Sequence, residues 1–368
     1  MDQNRLSLLA LHFIPGIGNQ LIKLLVSYCG SAEKVFKTPK GKLQKIPGIG
    51  EVSADLIING KPFAQAENEL RKAEKEKVGL LFFTDPAYPS RLRQIQDGPS
   101  LIYTKGNINF ENQKAVAIVG TRKATDYGKE CVDNLVSGLQ AHGALIVSGL
   151  AYGIDIIAHK FALKYGLPTI GVMGSGIDVM YPPSHMETAR KMMVDGGVVS
   201  ENSLGTKPDA HNFPARNRII AALADALVVV EAASKGGALI TAEIANTYNK
   251  DVLAFPGNVG RVASEGCNAL IKSNKAHLIT SISDLEYVMN WNAGQSPPVK
   301  KPPIDLNNFN PEEQVVLKML TDNNNQLMLD EISWRTNIPI GRLASLLLNL
   351  EFAGVIAPLP GKVYKIVT

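Results

Sequence analysis

The stretch from 115 to 257 contains AVAIVG (115–120), ALIVSG (144–149), PTIGVMG (168–174), GVVSE (197–201), ALVVVEA (226–232) and DVLAFPG (251–257), with helical spacing between the runs. Each run is apolar along its length, as a strand buried on both faces must be. Regular alternation of such strands with helices builds a doubly wound, mostly parallel α/β sheet. Ligands of these sheets bind beyond the carboxyl ends of the strands. The glycines and polar residues gather at those ends: Gly120 to Arg122, Ser148 to Ala151, Gly174 to Gly176, Ser200 and Glu201, Glu231, and Pro256 and Gly257.

Several ligand classes are disfavoured. A dinucleotide site needs GxGxxG after the first strand and an acidic residue about twenty positions on. The nearest approach, from Gly174 to Val179, follows the third run, lacks the last glycine and meets Tyr181, Pro182 and Pro183, which cannot continue a helix. GxxxxGK[ST], HExxH and GxSxG are absent, and the six histidines lie in separate segments, so no metal or cofactor is expected. The 368 residues suggest two or three domains at roughly 150 residues each. An apolar share of 45% with 20% charged residues is ordinary for a globular protein. Cys29, Cys131 and Cys267 are too few and too scattered for a disulfide framework, and no apolar run is long enough for a membrane span. The start carries Asp2 and no signal-peptide pattern, so a cytoplasmic protein is expected.

The residues that remain are suited to phosphate. Ser148 to Asp155 (SGLAYGID) and Lys235 to Thr241 (KGGALIT) put small residues where a helix begins, so that backbone N–H groups can approach an anion. Between them Phe213 to Arg218 (FPARNR) sets an aromatic beside two arginines, leading into the apolar helix IIAALADAL. Bases stack on aromatics and phosphates need cations, which is the equipment for single-stranded nucleic acid. The same residues also allow a structural reading in which Phe213 is core and Arg216 and Arg218 cap carbonyls or pair with Glu201 or Glu231.

Net charge is +4, from 38 Lys and Arg against 34 Asp and Glu. Residues 1–65 carry eight against four, residues 106–290 sixteen against seventeen, and residues 306–368 five against six. The middle segment must therefore meet an anion by a local cluster. In the basic segment IPGIG occurs at 14–18 and again at 46–50, each copy entering an apolar helical run. Two helical units joined by such turns resemble a helix-hairpin-helix or SAM-like domain, whose exposed helix-start amides hold DNA phosphates; the alternative is that the turns merely pack two helical units. Residues 66–77 mix both charge signs and read as an exposed bridging helix. After a proline-rich linker at 291–305, three helical runs and a strand pair fill 306–368 and predict a winged helix. Its third helix offers a DNA groove only Arg342, Ser345 and Asn349, which favours protein contact or packing over base reading.

From about Tyr88 to Thr280 the chain closely resembles the DNA-processing protein A (DprA/Smf) family. The strings that carry the resemblance are VGTRKATDYG, SGLAYGIDIIAH, FPARNRIIAAL, VVEAASKGGALITAEIA and LAFPGNVGRVASEGCNALI, in the family's order. The resemblance implies an extended Rossmann-like domain at 66–290 that binds single-stranded DNA, protects it and loads the RecA recombinase in natural transformation, with dimerisation through that domain and a winged-helix (DML1-like) unit at 306–368. It places Arg122, Ser148, Gly149, Gly236 and Gly237 in the phosphate pocket, with Phe213, Arg216 and Arg218 completing the binding surface. Thr121 stands where the family usually has Ser, Gly237 where many members have Ser, and Asp209, Ala210 and His211 where some have a basic residue, a contact that Lys207 would then supply. A rival class is a nucleoside-monophosphate phosphoribohydrolase. The run from Lys235 to Glu243 loosely resembles that family's GGxGTxxE element, with its second glycine pair broken by Leu239 and Ile240.

Overall fold

A computed structural model describes residues 2–291, 306, 309–323, 325–359 and 361–366. Most of the linker predicted at 291–305 lies outside them. The six apolar runs form β3 (Ala115–Gly120), β4 (Leu145–Ser148), β5 (Thr169–Val172), β6 (Gly196–Ser200), β7 (Ala226–Val230) and β8 (Asp251–Ala254), all mutually parallel where they pair. Three further strands extend the sheet: β1 (Gly79–Phe82) and β2 (Leu101–Asn107), antiparallel on one edge, and β9 (His277–Leu278) on the other. The nine-stranded order is β1-β2-β6-β5-β4-β3-β7-β8-β9. From β3 the chain winds outward through β4, β5 and β6, then returns to add β7 on the opposite side of β3. The strand order therefore reverses between β3 and β7, where the loops following the two strands diverge and leave a crevice.

The amino-terminal helices Gln3–His12, Asn19–Cys29, Ala32–Lys37, Lys40–Leu43 and Glu51–Gly60 are joined by the two IPGIG turns. Gly16 and Gly48 hold φ of 79° and 81°, which only glycine adopts without strain, and each turn runs into a helix whose N-cap glycine has no side-chain cap. The lysine excess is partly spent within the unit, since Lys40 meets Glu51 at 3.1 Å and Asp55 at 2.7 Å and Lys37 pairs with Glu33. This unit shares one contiguous apolar core with the sheet, from Leu6 to Leu270. The helix Phe63–Lys75, expected to be solvated, buries Ala66, Glu69 and Ala73; the Glu69 carboxylate accepts from the Tyr103 hydroxyl at 3.0 Å and from the Leu204 amide at 2.7 Å.

The carboxyl-terminal unit is a winged helix: helices Pro311–Thr321, Leu329–Thr336 and Ile340–Phe352 against a sheet of order β10-β12-β11, with β10 at Gln326–Met328, β11 at Ile356–Leu359 and β12 at Val363–Ile366. Its core of Val316, Leu317, Leu320, Ile332, Leu343, Leu347 and Leu350 is separate from that of the body. Arg342, Ser345 and Asn349 are all exposed, and Arg342 pairs on the surface with Glu312 at 2.8 Å. Among the described residues no helix is long and apolar enough to cross a membrane.

Candidate nucleic-acid interface

At the reversal between β3 and β7 lies a cleft of about 770 Å3. One wall is the loop after β3, pinned from two sides. The amide of Thr121 donates to the Glu231 carbonyl at 2.7 Å, and the buried Glu231 carboxylate accepts from the Thr125 amide at 2.9 Å and its hydroxyl at 2.5 Å. From the other side the Ile154 amide donates to the Thr121 carbonyl at 3.1 Å. That approach needs Gly153, whose φ is +77° and where a Cβ would come within 2.1 Å of the Thr121 oxygen. The held loop presents Arg122 to solvent, and among the described residues Arg122 has no ion-pair partner.

The two glycine-lined helix starts differ. At Ile154–Lys164 the Asp155 carboxylate is buried over the start, accepting from the Gly149 amide at 3.2 Å. Burial raises the Asp155 pKa and the neighbouring Arg216 guanidinium opposes that shift. Ser148 is also buried and donates its hydroxyl to the Ile118 carbonyl at 2.6 Å. Ser148 and Gly149 therefore form the floor behind the cleft and do not line it. At Gly237–Thr247 the start is open: Gly236 is the N-cap, no side chain caps it, both glycines are exposed, and a Cβ on Gly236 would touch nothing within 4 Å. An uncapped helix start carries unsatisfied N–H groups and partial positive charge, an anion site by construction. Lys235, exposed and also without an ion-pair partner among the described residues, precedes it.

FPARNR is not a loop leading to a helix; it lies inside the helix Asn212–Leu223. Residues two apart on a helix point to nearly opposite sides. Arg216 turns inward, 6% exposed, donating to the carbonyls of Gly149 (2.6 Å) and Val172 and so tying together the ends of β4 and β5. Burial lowers its pKa to about 10, with Asp155 opposing and Arg122 adding, so it remains a cation at the base of the cleft. Arg218 turns away from the cleft, donating to the Asp97 carbonyl at 2.7 Å and pairing with Glu201. Phe213 is half-buried: one side packs on Gly174 and on the Tyr181 ring, 5.7 Å between centroids, and the residue lines the cleft. Arg122, Phe213, Arg216, Gly236 and Gly237 thus converge, whereas Ser148, Gly149 and Arg218 serve the scaffold.

Sequence reasoning left out Lys235, Tyr181 and Asn217, which also line the cleft. Lys235 was legible beside its glycines. Tyr181 was not, because its Pro-Pro neighbours read only as a helix breaker.

The family model described as DNA recombination-mediator protein A matches residues 79–290, and that of the DprA winged helix domain matches residues 297–362. The chain belongs to the DNA recombination-mediator protein A family. Protein Smf of Synechocystis sp. is 31% identical over 96% of each chain. The X-ray structure of DNA processing protein A from Streptococcus pneumoniae superposes with a TM-score of 0.65 at 33% identity, covering 76% of this chain and 95% of that one. A structure describing the single-stranded DNA binding mode of DNA processing protein A from Helicobacter pylori gives 0.53 at 29% identity, covering 58% of this chain and 96% of that one. Family membership makes this a DNA-processing protein and gives the cleft its context.

Proposed function

We propose that the protein binds single-stranded DNA in this cleft, protects it and passes it to the RecA recombinase during natural transformation and recombination, acting in the cytoplasm as a homodimer without a cofactor or catalytic residues. One observation carries the reading: Arg122 and Lys235, exposed and unpaired among the described residues, flank an open helix start beside the Phe213 and Tyr181 rings. Cations and amides serve phosphates, and the rings give bases a stacking platform. The described binding mode of the Helicobacter pylori relative supports the same ligand.

The phosphoribohydrolase reading needs a glutamate in the cleft to assist cleavage of the base–ribose bond. Glu243, which that motif would supply, is exposed, pairs with Lys275 at 2.7 Å and does not line the cleft. Labelled dT oligomers of graded length, compared with duplex and with AMP, test the proposal. Tight, salt-sensitive dT binding with no AMP hydrolysis is expected. Preference for duplex, or release of adenine from AMP, would overturn it.

A further inference from the structure

The winged-helix unit lies on the body through its helix Leu329–Thr336, packed on the helix Asn19–Cys29. At the centre Glu331, 6% exposed, sits 3.4 Å from Arg93 Nε of the body and 2.6 Å from Nη2 of Arg335 on its own helix. The Glu331 Oε1, the Arg93 Nε and both the Nε and Nη2 of Arg335 make no oriented hydrogen bond. Both guanidinium groups donate elsewhere, Arg335 Nη1 to Asn323 Oδ1 at 2.6 Å and Arg93 Nη2 to the Asp85 carbonyl, and a buried ion pair without oriented hydrogen bonds between its own atoms repays its desolvation poorly. Cavities of about 370 Å3 and 250 Å3 flank the pair, so the interface is loosely packed on both sides. The apolar part is small: Trp334 meets Phe83 edge to face with 5.8 Å between centroids, and among the described residues Trp334 is the one winged-helix side chain packed against the body's core. Lys23 of the first hairpin unit lines the larger cavity, its pKa lowered to about 8 by burial. On the body, then, Glu331 sits against Arg93 and shares the larger cavity with Lys23 and the aromatic Phe83.

We infer that the winged-helix unit is a releasable cover, with Glu331 standing where a phosphate would sit on a second, cationic and aromatic face of the body, so that a phosphodiester strand and the docked unit compete for that face. The choice of strand rests on the single-strand reading above; the cover itself does not. The separate apolar core of the winged unit lets it lift without unfolding.

Trp334 reports the docked state. With Trp291→Phe it is the sole tryptophan of the full chain, since the sequence has two. In that background Glu331→Gln should shift Trp334 emission to the red and raise its quenching by acrylamide. Arg93→Gln, which leaves the winged unit's sequence untouched, should do the same, so a folding failure of that unit cannot account for both. Adding a dT oligomer to the Trp291→Phe chain should reproduce the red shift, Glu331→Gln should bind dT several-fold more tightly, and Lys23→Ala should cancel that gain. Unchanged emission in both variants would overturn the cover. A shift in the variants with equal dT affinity would overturn the competition. Failure of the cleft reading shows elsewhere, as dT binding indifferent to Arg122→Ala.

Discussion

Arg122 and Arg216 face the same cleft but divide the work by burial. Arg122 is exposed and unpaired among the described residues, so its removal should leave the fold intact and, on the proposed single-strand reading, remove one phosphate contact. Arg122→Ala should weaken binding to poly-dT and mixed sequence alike and reduce the salt slope by about 0.7, read from titrations at several salt concentrations. Arg216→Ala strips two strand-end carbonyls of their donor and leaves Asp155 buried without its cation. A stability loss of roughly 3–5 kcal/mol is expected in chemical denaturation. Phe213 stands between these cases. Phe213→Ala should cost about 1–3 kcal/mol of dT affinity. It should also lower the melting temperature less than truncation of a fully buried ring, because only one side of Phe213 is packed. His159, fully buried with Nδ1 2.7 Å from the Thr169 hydroxyl, is held neutral, its pKa lowered to about 3 chiefly by burial. The unfolded chain takes up that proton below about 6.5 and the folded chain does not. Stability present above pH 6.5 is therefore lost at up to about 1.4 kcal/mol per unit as pH falls toward 3. Melting curves across that range should be flatter for His159→Gln. The sequence showed the residue types of the cleft but not their directions. Arg216 and Arg218 sit two apart, and only knowing that the helix starts at Asn212 separates the inward arginine from the one on Glu201.

At the scale of elements, the parallel strands were legible because burial on both faces writes an unbroken apolar run. The edge strands were not. β1 and β2 each keep exposed positions, with Gly79 and Asn107 open to solvent, and β9 has only two residues, both exposed. The two helix starts looked alike in sequence, small residues between strand and helix, and differ through Asp155, which fills one of them. That contrast makes the open start testable without disturbing its surroundings. At Gly236 φ is 162°, extended backbone that any residue adopts, and a side chain there meets nothing. Aspartate at an N-cap stabilises a helix by a few tenths of a kcal/mol over glycine. Gly236→Asp should therefore leave the melting temperature unchanged or slightly raised while placing a negative charge where the phosphate would bind. Stability and dT affinity moving in opposite directions would mark the start as an anion site; unchanged affinity would remove Gly236 and Gly237 from the interface.

At the scale of the whole molecule, the sequence divides the chain into a basic helical unit, a sheet and a winged helix, and the interactions between these units are unequal. The helical unit is built into the body: the Asn19 side chain accepts from the Ser100 amide and hydroxyl at 2.8 Å each, and Arg5 pairs with Asp85 at 2.7 Å. Above all it shares the sheet's apolar core. Periodicity could not reveal this, because a hairpin that packs on a sheet and one that stands alone have the same apolar spacing. Deleting residues 1–65 would take Arg5 from the Phe82 ring, 4.9 Å away, and remove one side of the shared core, and aggregation on expression is expected. The opposite end behaves differently. Ending the chain at Gln295 keeps Trp291, which lies against His142 with 5.7 Å between centroids and beneath the Lys114 ammonium at 5.2 Å. It removes from the body little more than the Trp334 contact and a charge cluster in which Glu331 Oε1 and Arg93 Nε make no hydrogen bond across the interface. The shortened chain should stay monodisperse in sedimentation, melt near the temperature of the full chain and bind dT at least as tightly, since the face around Lys23 and Arg93 is then uncovered. Loss of binding in a folded truncation would instead make the winged helix a primary DNA contact and displace the cleft from that role.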